Sequence, residues 1–148
     1  MRSVRTRAVA AVAAVLAGLL LALLAPSGQA VAFFSGGLFL DVQVESPARL
    51  VARGAAVDVP VEVTCNATGT VSVFVTVTQR VNGGIAAGSS FDEFSCSGAG
   101  QRVTVRVSAS AAGRAFRQGT AVVDAEVFGC RPNVCGSETD TETVRLRR

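Results

Sequence analysis

The sequence predicts an all-β domain, an antiparallel β-sandwich of about seven strands that follows a helical signal peptide. Three observations predict it. Apolar and polar residues alternate with period two through most of residues 38–147, the mark of strands with one buried face. β-branched Val and Thr fill those segments, and no window beyond residue 32 has helical spacing. Four cysteines, Cys65, Cys96, Cys130 and Cys135, all lie in the same part of the chain.

Met1–Ala32 reads as the signal peptide. Arg2, Arg5 and Arg7 make a basic start, and an uncharged apolar run follows from Ala8 to Ala25. Pro26, Ser27 and Gly28 break it, and Ala30-Val31-Ala32 supplies small residues for cleavage. The run is near the lower length limit for a spanning helix, so an uncleaved anchor is the competing reading. Cleavage predicts a released, extracellular product with no membrane attachment. Phe33 and Phe34 would then open the mature chain, either packed on the domain or as an exposed apolar tip.

Removing 32 of 148 residues leaves 116, one domain's worth (33–148). It also removes three of the 14 basic residues, so 11 arginines stand against 11 acids. The net charge of +3 for the whole chain is therefore no argument for nucleic-acid binding. The chain has no His, Trp or Tyr. Without His, Ser-His-Asp and Cys-His nucleophile systems are excluded, as are His-ligated metals. We expect no enzyme and no cofactor. With Phe as the only aromatic, stacking platforms for sugars or single-stranded nucleic acid are poorly supplied.

The strands read in order. Leu38, Leu40, Val42 and Val44 share one face, with Asp41, Gln43 and Glu45 opposite. Val57, Val59, Val61, Val63 and Cys65 form the next row, backed by Asp58, Glu62 and Thr64. Val71, Val73, Val75 and Val77 follow, against Ser72, Thr76 and Thr78. Gly84–Ser90 and Phe91–Cys96 are less regular and read as a short edge strand and a short core strand. Val103, Val105 and Val107, then Ala121, Val123, Ala125 and Val127, repeat the clean pattern. Thr143–Arg147 closes the series with Val144 and Leu146 inward. Turn signals sit between these rows at Ala67–Gly69, Asn82–Gly84, Ser97–Gly100 and Ala112–Arg114. Asn82-Gly83 is a candidate two-residue hairpin turn, because both residues tolerate positive φ. Seven half-buried strands in this length must close on a second sheet, which makes the sandwich immunoglobulin-like. A small barrel is the alternative.

An even cysteine count in an exported domain predicts disulfides. We expect Cys65–Cys96, because Cys65 continues an inward row and Cys96 ends a Phe-flanked strand. We expect Cys130–Cys135, bracketing Arg131-Pro132-Asn133-Val134 in a hairpin loop. The spacing of that second pair is not the Cys-x-x-Cys of thiol oxidoreductases, and a four-cysteine zinc site wants two close pairs.

Other chemistry-bearing residues have plainer readings. Asp92 and Glu93 are adjacent on a strand, point to opposite faces, and suit a solvated edge better than acid–base work. Asp124 with Glu126, and Asp140 with Glu142, are outward pairs. If the last two strands pair, the four acids come together, to be neutralised by Arg106, Arg145 or Arg147 or to attract Ca²⁺ weakly. Asn66-Ala67-Thr68 fits a glycan acceptor pattern. Phe74 and Phe128 fall at outward phases of otherwise clean strands. They are the candidate contact patch, unless a loop covers them.

The run from Val63-Thr64-Cys65 through the Val/Thr-rich Gly69–Gln79 to Ser95-Cys96 resembles a group of small exported actinobacterial proteins. So does Phe116–Gly119 leading into Thr120–Val127, the Cys130/Cys135 loop and the strand Thr143–Leu146. The resemblance covers roughly residues 57–148. It implies an immunoglobulin-like sandwich with two disulfides and carries no catalytic residue. The late two-cysteine hairpin also resembles apoproteins of the neocarzinostatin type, which hold an apolar chromophore in a cleft. Two functions follow as expectations. One is a secreted, non-enzymatic module that binds an extracellular protein, glycan or cell-wall component. The alternative is an apoprotein carrying an apolar small molecule. A packed core with a flat apolar patch favours the first, and a cleft lined by Phe and Val favours the second.

Overall fold

The strand pattern of the sequence is realised in a computed structural model that describes residues 37–148. The signal-peptide reading of Met1–Ala32 and the Phe33–Phe34 tip lie outside the described residues. Eight strands follow in order: β1 (Leu40–Val44), β2 (Ala48–Val51), β3 (Ala56–Cys65), β4 (Thr70–Val81), β5 (Gly84–Ser95), β6 (Gln101–Ser108), β7 (Gly119–Arg131) and β8 (Val134–Arg147). A short 3-10 turn, Ala52–Gly54, joins β2 to β3.

The protein is an all-β sandwich. In one layer β3 is central, with β1 and β2 along one side and β6 along the other. The other layer runs β8-β7-β4-β5. The valine rows of β3, β4, β6 and β7 meet in a single core that also takes in Val144, Leu146 and Phe116. Val57, Val59, Val61, Val63, Val71, Val73, Val75 and Val77 are fully buried. Each contributes about 1.5–3 kcal/mol relative to exposure, and its stiff χ1 suits the pleated surface.

Three details depart from the expectation. First, the sheet is mixed rather than wholly antiparallel, because β2 pairs β8 in parallel through Ala48–Leu146 and Arg49–Arg147. Pro47 explains the switch. It has no N–H to continue a ladder, so the first strand breaks at Ser46-Pro47. β1 pairs the second half of β3 and β2 the first half, before β2 turns its free edge to β8. Second, Gly84–Ser95 is one twelve-residue strand, not two short ones. Its inward positions, Ala86, Gly88, Ser90 and Asp92, are small or polar and erase the period-two signal. Space demands this: a Cβ on Gly88 would stand 2.0 Å from the Ser108 carbonyl oxygen. Third, the last strand begins at Val134, well before Thr143, and its first half is a solvated edge of acids and hydroxyls.

The hairpins follow the turn chemistry. Asn82 and Gly83 have φ of 39° and 74°, as a type I′ turn requires, and Val81 pairs with Gly84. Pro132 and Asn133, the latter at φ 69°, close β7 on β8.

Both disulfides have the expected pairing. Cys65–Cys96 ties the end of β3 in one layer to the end of β5 in the other. Cys130 and Cys135 are register partners across the β7–β8 hairpin, with Cα atoms 4.1 Å apart. All four cysteines therefore lie at one end of the sandwich.

Asp58 is a correction to the simple two-face reading. It sits on the outward row of β3 yet is 6% exposed. Its strand is flanked on both sides, and the register puts Arg49 on β2 and Arg106 on β6 directly beside it. Arg106 donates from Nε at 2.7 Å and from Nη2 at 3.1 Å, and Arg49 donates at 2.9 Å. The Arg106 bond, opposed by burial and reinforced by Arg49, holds the Asp58 carboxyl below the usual carboxylate range. Arg106 is thus spent on Asp58, not on the acids of β7 and β8.

Because the folded carboxyl titrates below the unfolded one, this triad contributes in full above about pH 4. Its contribution is lost as the pH falls from there through the folded pKa. Asp58→Asn should cost about 1–3 kcal/mol at neutral pH, since the two exposed guanidiniums are well solvated. Urea titrations of both proteins should show the gap closing as the pH drops below about 4. A gap independent of pH would refute the assignment. For the disulfides, the enclosed spans are 31 and five residues. The double Ala variants of Cys65/Cys96 and Cys130/Cys135 should lose about 3–4 and about 2 kcal/mol in the same titration. Equal losses would mean that loop entropy does not govern them.

Candidate functional site

The outer face of the β8-β7-β4-β5 layer is open to solvent and can be laid out from the register. Glu93, Ser72, Phe128 and Ser137 form one row across the four strands. Phe91, Phe74, Glu126 and Thr139 form the next, and Ser89, Thr76, Asp124 and Thr141 the one after. Phe74 and Phe91 are therefore direct cross-strand neighbours, and Phe128 stands diagonal to Phe74, within reach of aromatic side chains. Phe74 is 46% exposed, Phe128 49% and Phe91 67%. Among the described residues no loop covers the expected pair.

Phe91 completes the cluster, and the sequence reading missed it by ending a strand at Ser90. The signal was present. A two-residue turn at Asn82-Gly83 fixes every partner along the hairpin, and counting back from Val81–Gly84 puts Phe91 opposite Phe74. The three rings leave on the order of 300 Å² of apolar surface bare. That is the size of a functional patch on a monomer, and less than half of one side of a standard protein–protein interface.

Carboxylates rim the rings. Glu126 lies beside Phe74 in the register, Glu93 is one row from Phe91, and Asp124 is one row from Phe74. Asp124 accepts from the Thr141 hydroxyl at 2.7 Å, and Ser72 donates weakly to Glu93 at 3.4 Å. Among the described residues none of the three has an arginine partner; the ion pairs are those of Asp58 and of Glu45 with Arg102.

The four-acid grouping on the last two strands does not form. β7 and β8 do pair, but Asp140 stands opposite Ala125 and Glu142 opposite Val123, so they face the other side of the sheet. Asp140 accepts the Val44 amide at 2.7 Å and so docks β1. Asp92 likewise accepts a backbone bond, from Glu93 N–H. The Asn66 amide is engaged on both sides: Nδ2 donates to the Gly37 carbonyl and Oδ1 accepts from Phe39 N–H.

Among the described residues, two of the surface clefts can be laid out. The larger, about 810 Å³, is lined by Leu50, Arg53, Gly54, Phe116, Arg117 and Arg148 among others. The smaller, about 490 Å³, is formed by Glu45, Ser46, Pro47, Pro60 and Arg102. Neither has the Phe and Val lining of an apolar carrier site.

Comparison with protein-family models and with curated proteins finds no match to this chain.

Proposed function

We propose that this protein is a secreted, non-enzymatic binding module that engages an extracellular protein through the outer face of β4, β5, β7 and β8. The carrying observation is the bare Phe74–Phe91–Phe128 cluster inside a rim of carboxylates that, among the described residues, no arginine neutralises. An apolar centre with an acidic rim is complementary to a protein surface whose own apolar centre is flanked by Lys or Arg. A glycan or wall polymer offers only the narrow C–H face of each sugar, and an acidic one is repelled by the carboxylate rim. Two disulfides suit the oxidising exterior, and among the described residues no helix is long and apolar enough to cross a membrane. The filled valine interior favours this reading over a carrier of apolar small molecules, which needs room between the sheets.

The test uses immobilised, oxidised protein and culture supernatant with cell-wall material. A protein should be retained whose footprint, by hydrogen exchange, is apolar and basic and protects β4, β5 and β7. The Phe74→Ser/Phe91→Ser variant should lose it by at least tenfold while melting within a few degrees of wild type, because both rings are already solvated. Retention of a glycan, a dimer broken by the same variant, or a co-purifying apolar molecule on this face would each overturn the proposal.

A further inference from the structure

The near-neutral domain hides a separation of charge. Connections β2–β3, β4–β5 and β6–β7 and the end of β8 all gather at the end of the sandwich opposite the disulfides. Arg53, Arg80, Arg114, Arg117, Arg145, Arg147 and Arg148 lie there, and all seven are exposed. Segments 52–55, 82–83, 109–118 and 145–148 contain no Asp or Glu. Among the described residues none of the seven takes part in an ion pair; Arg49, the register partner of Arg147, and Arg106 lie near the same end and are held by Asp58, and Arg102, nearer the disulfide end, is held by Glu45.

Two of these arginines are held in place by buried machinery. Gln79, the inward residue near the end of β4, is 3% exposed. Its side chain clamps one residue's backbone from both sides: Nε2 donates to the Arg117 carbonyl and Oε1 accepts the Arg117 N–H, each at 2.8 Å. Beside it Phe116, 2% exposed, anchors the segment in the core and donates its N–H to the Gly54 carbonyl at 2.8 Å. That contact fixes the turn carrying Arg53. Ala52 and Arg53 both adopt left-handed backbone, with φ of 47° and 59°. Neither is a residue type that favours the region, so the turn carries strain. Gly54 has no alternative either, since a Cβ there would stand 2.0 Å from the Phe116 carbonyl oxygen. Arg53 and Arg117 then line the same cleft of about 810 Å³.

We propose that this cleft and the arginines around it bind a chain of phosphate groups. Guanidinium presents a planar fork that matches phosphate oxygens in pairs. Seven such groups on four separate segments exceed what one phosphate can engage, and suit a ligand that repeats its charge. The cluster's self-repulsion, met by no direct ion pair among the described residues, is relieved by a polyanion. The cleft is lined by Arg53, Arg117 and Arg148 at the end of the sandwich; Arg80 and Arg145 share the outer face with the phenylalanine cluster, and the proposal does not rest on that cluster.

The experiment is calorimetric titration of the oxidised protein with inorganic polyphosphate, with polyglutamate of similar length, and with vesicles containing phosphatidic acid. Polyphosphate binding should weaken by at least tenfold between about 50 and about 300 mM salt. Arg53→Ala/Arg117→Ala should weaken it by at least tenfold, and Arg131→Ala, at the other end, should leave it unchanged. Arg53→Gly should weaken binding several-fold yet raise the melting temperature, because Gly relieves the left-handed turn. Binding to polyphosphate supports the proposal, whereas binding to the phosphatidic-acid vesicles alone would place single phosphates on a lipid surface and overturn it. It is overturned if polyglutamate binds as tightly as polyphosphate, if no phosphate probe binds, or if the folded double variant binds like wild type.

Discussion

The narrow gap between two valine-lined sheets is the constraint on which the rest of this structure depends. Packed sheets stand about 10 Å apart, and short β-branched side chains from both layers fill that space without voids. Valine on β3, β4, β6 and β7 meets that requirement almost alone. Large side chains then have three places to go. Phe116 caps one end of the core, Phe94 packs at the edge, and the remaining described rings of β4, β5 and β7 face outward. The exposed phenylalanines are the complement of the core, set by the same alternation that buries the valines.

The same strictness governs polar groups. β3 carries neighbours on both sides, so even its outward row is partly covered, and Asp58 there needs a guanidinium from each adjacent strand. Gln79 occupies an inward position on β4 between Val77 and Val81, and both ends of its amide are used by Arg117. Among the described residues no buried side-chain nitrogen or oxygen lacks a partner. Buried polar groups in this domain are tolerated where they fix backbone or strand order, as expected when each unpaired one costs about 1–3 kcal/mol.

How much of this was readable in the sequence depends on burial being one-sided. Where a strand buries one clean face, as Val57–Cys65, Val71–Val77 and Ala121–Val127 do, alternation announced it. The cysteine pairing was legible for a related reason, since Cys65 continues an inward row and a two-residue turn joins β7 to β8. β5 was misdivided because the close approach of Ser108 demands small inward residues, which look polar or neutral in sequence. β2 was missed because four residues after a proline carry no period. Phe74 and Phe128 were visible as breaks of phase, but Phe91 required the register of the hairpin. The arginine end was not legible at all. Its members are scattered from Arg53 to Arg148, and only the common end of three connections brings them together.

The two ends of the domain are stabilised in different ways, and this bears on what each can do. The end with Cys65–Cys96 and Cys130–Cys135 is held by covalent bonds, and Thr68 N–H adds a 2.9 Å bond to the Cys130 carbonyl. The opposite end has no such tie. It relies on the Gln79 clamp, the Phe116 anchor and the left-handed turn at Ala52-Arg53. A domain selected for rigidity alone would place glycine or asparagine at that turn and distribute acids among the arginines. Keeping arginine at a left-handed position, beside others that form no ion pair among the described residues, costs stability twice over. Costs of this kind concentrate where a surface meets a ligand. The strain at Arg53 and the uncompensated charge around it therefore point to the same cleft from independent directions, one conformational and one electrostatic.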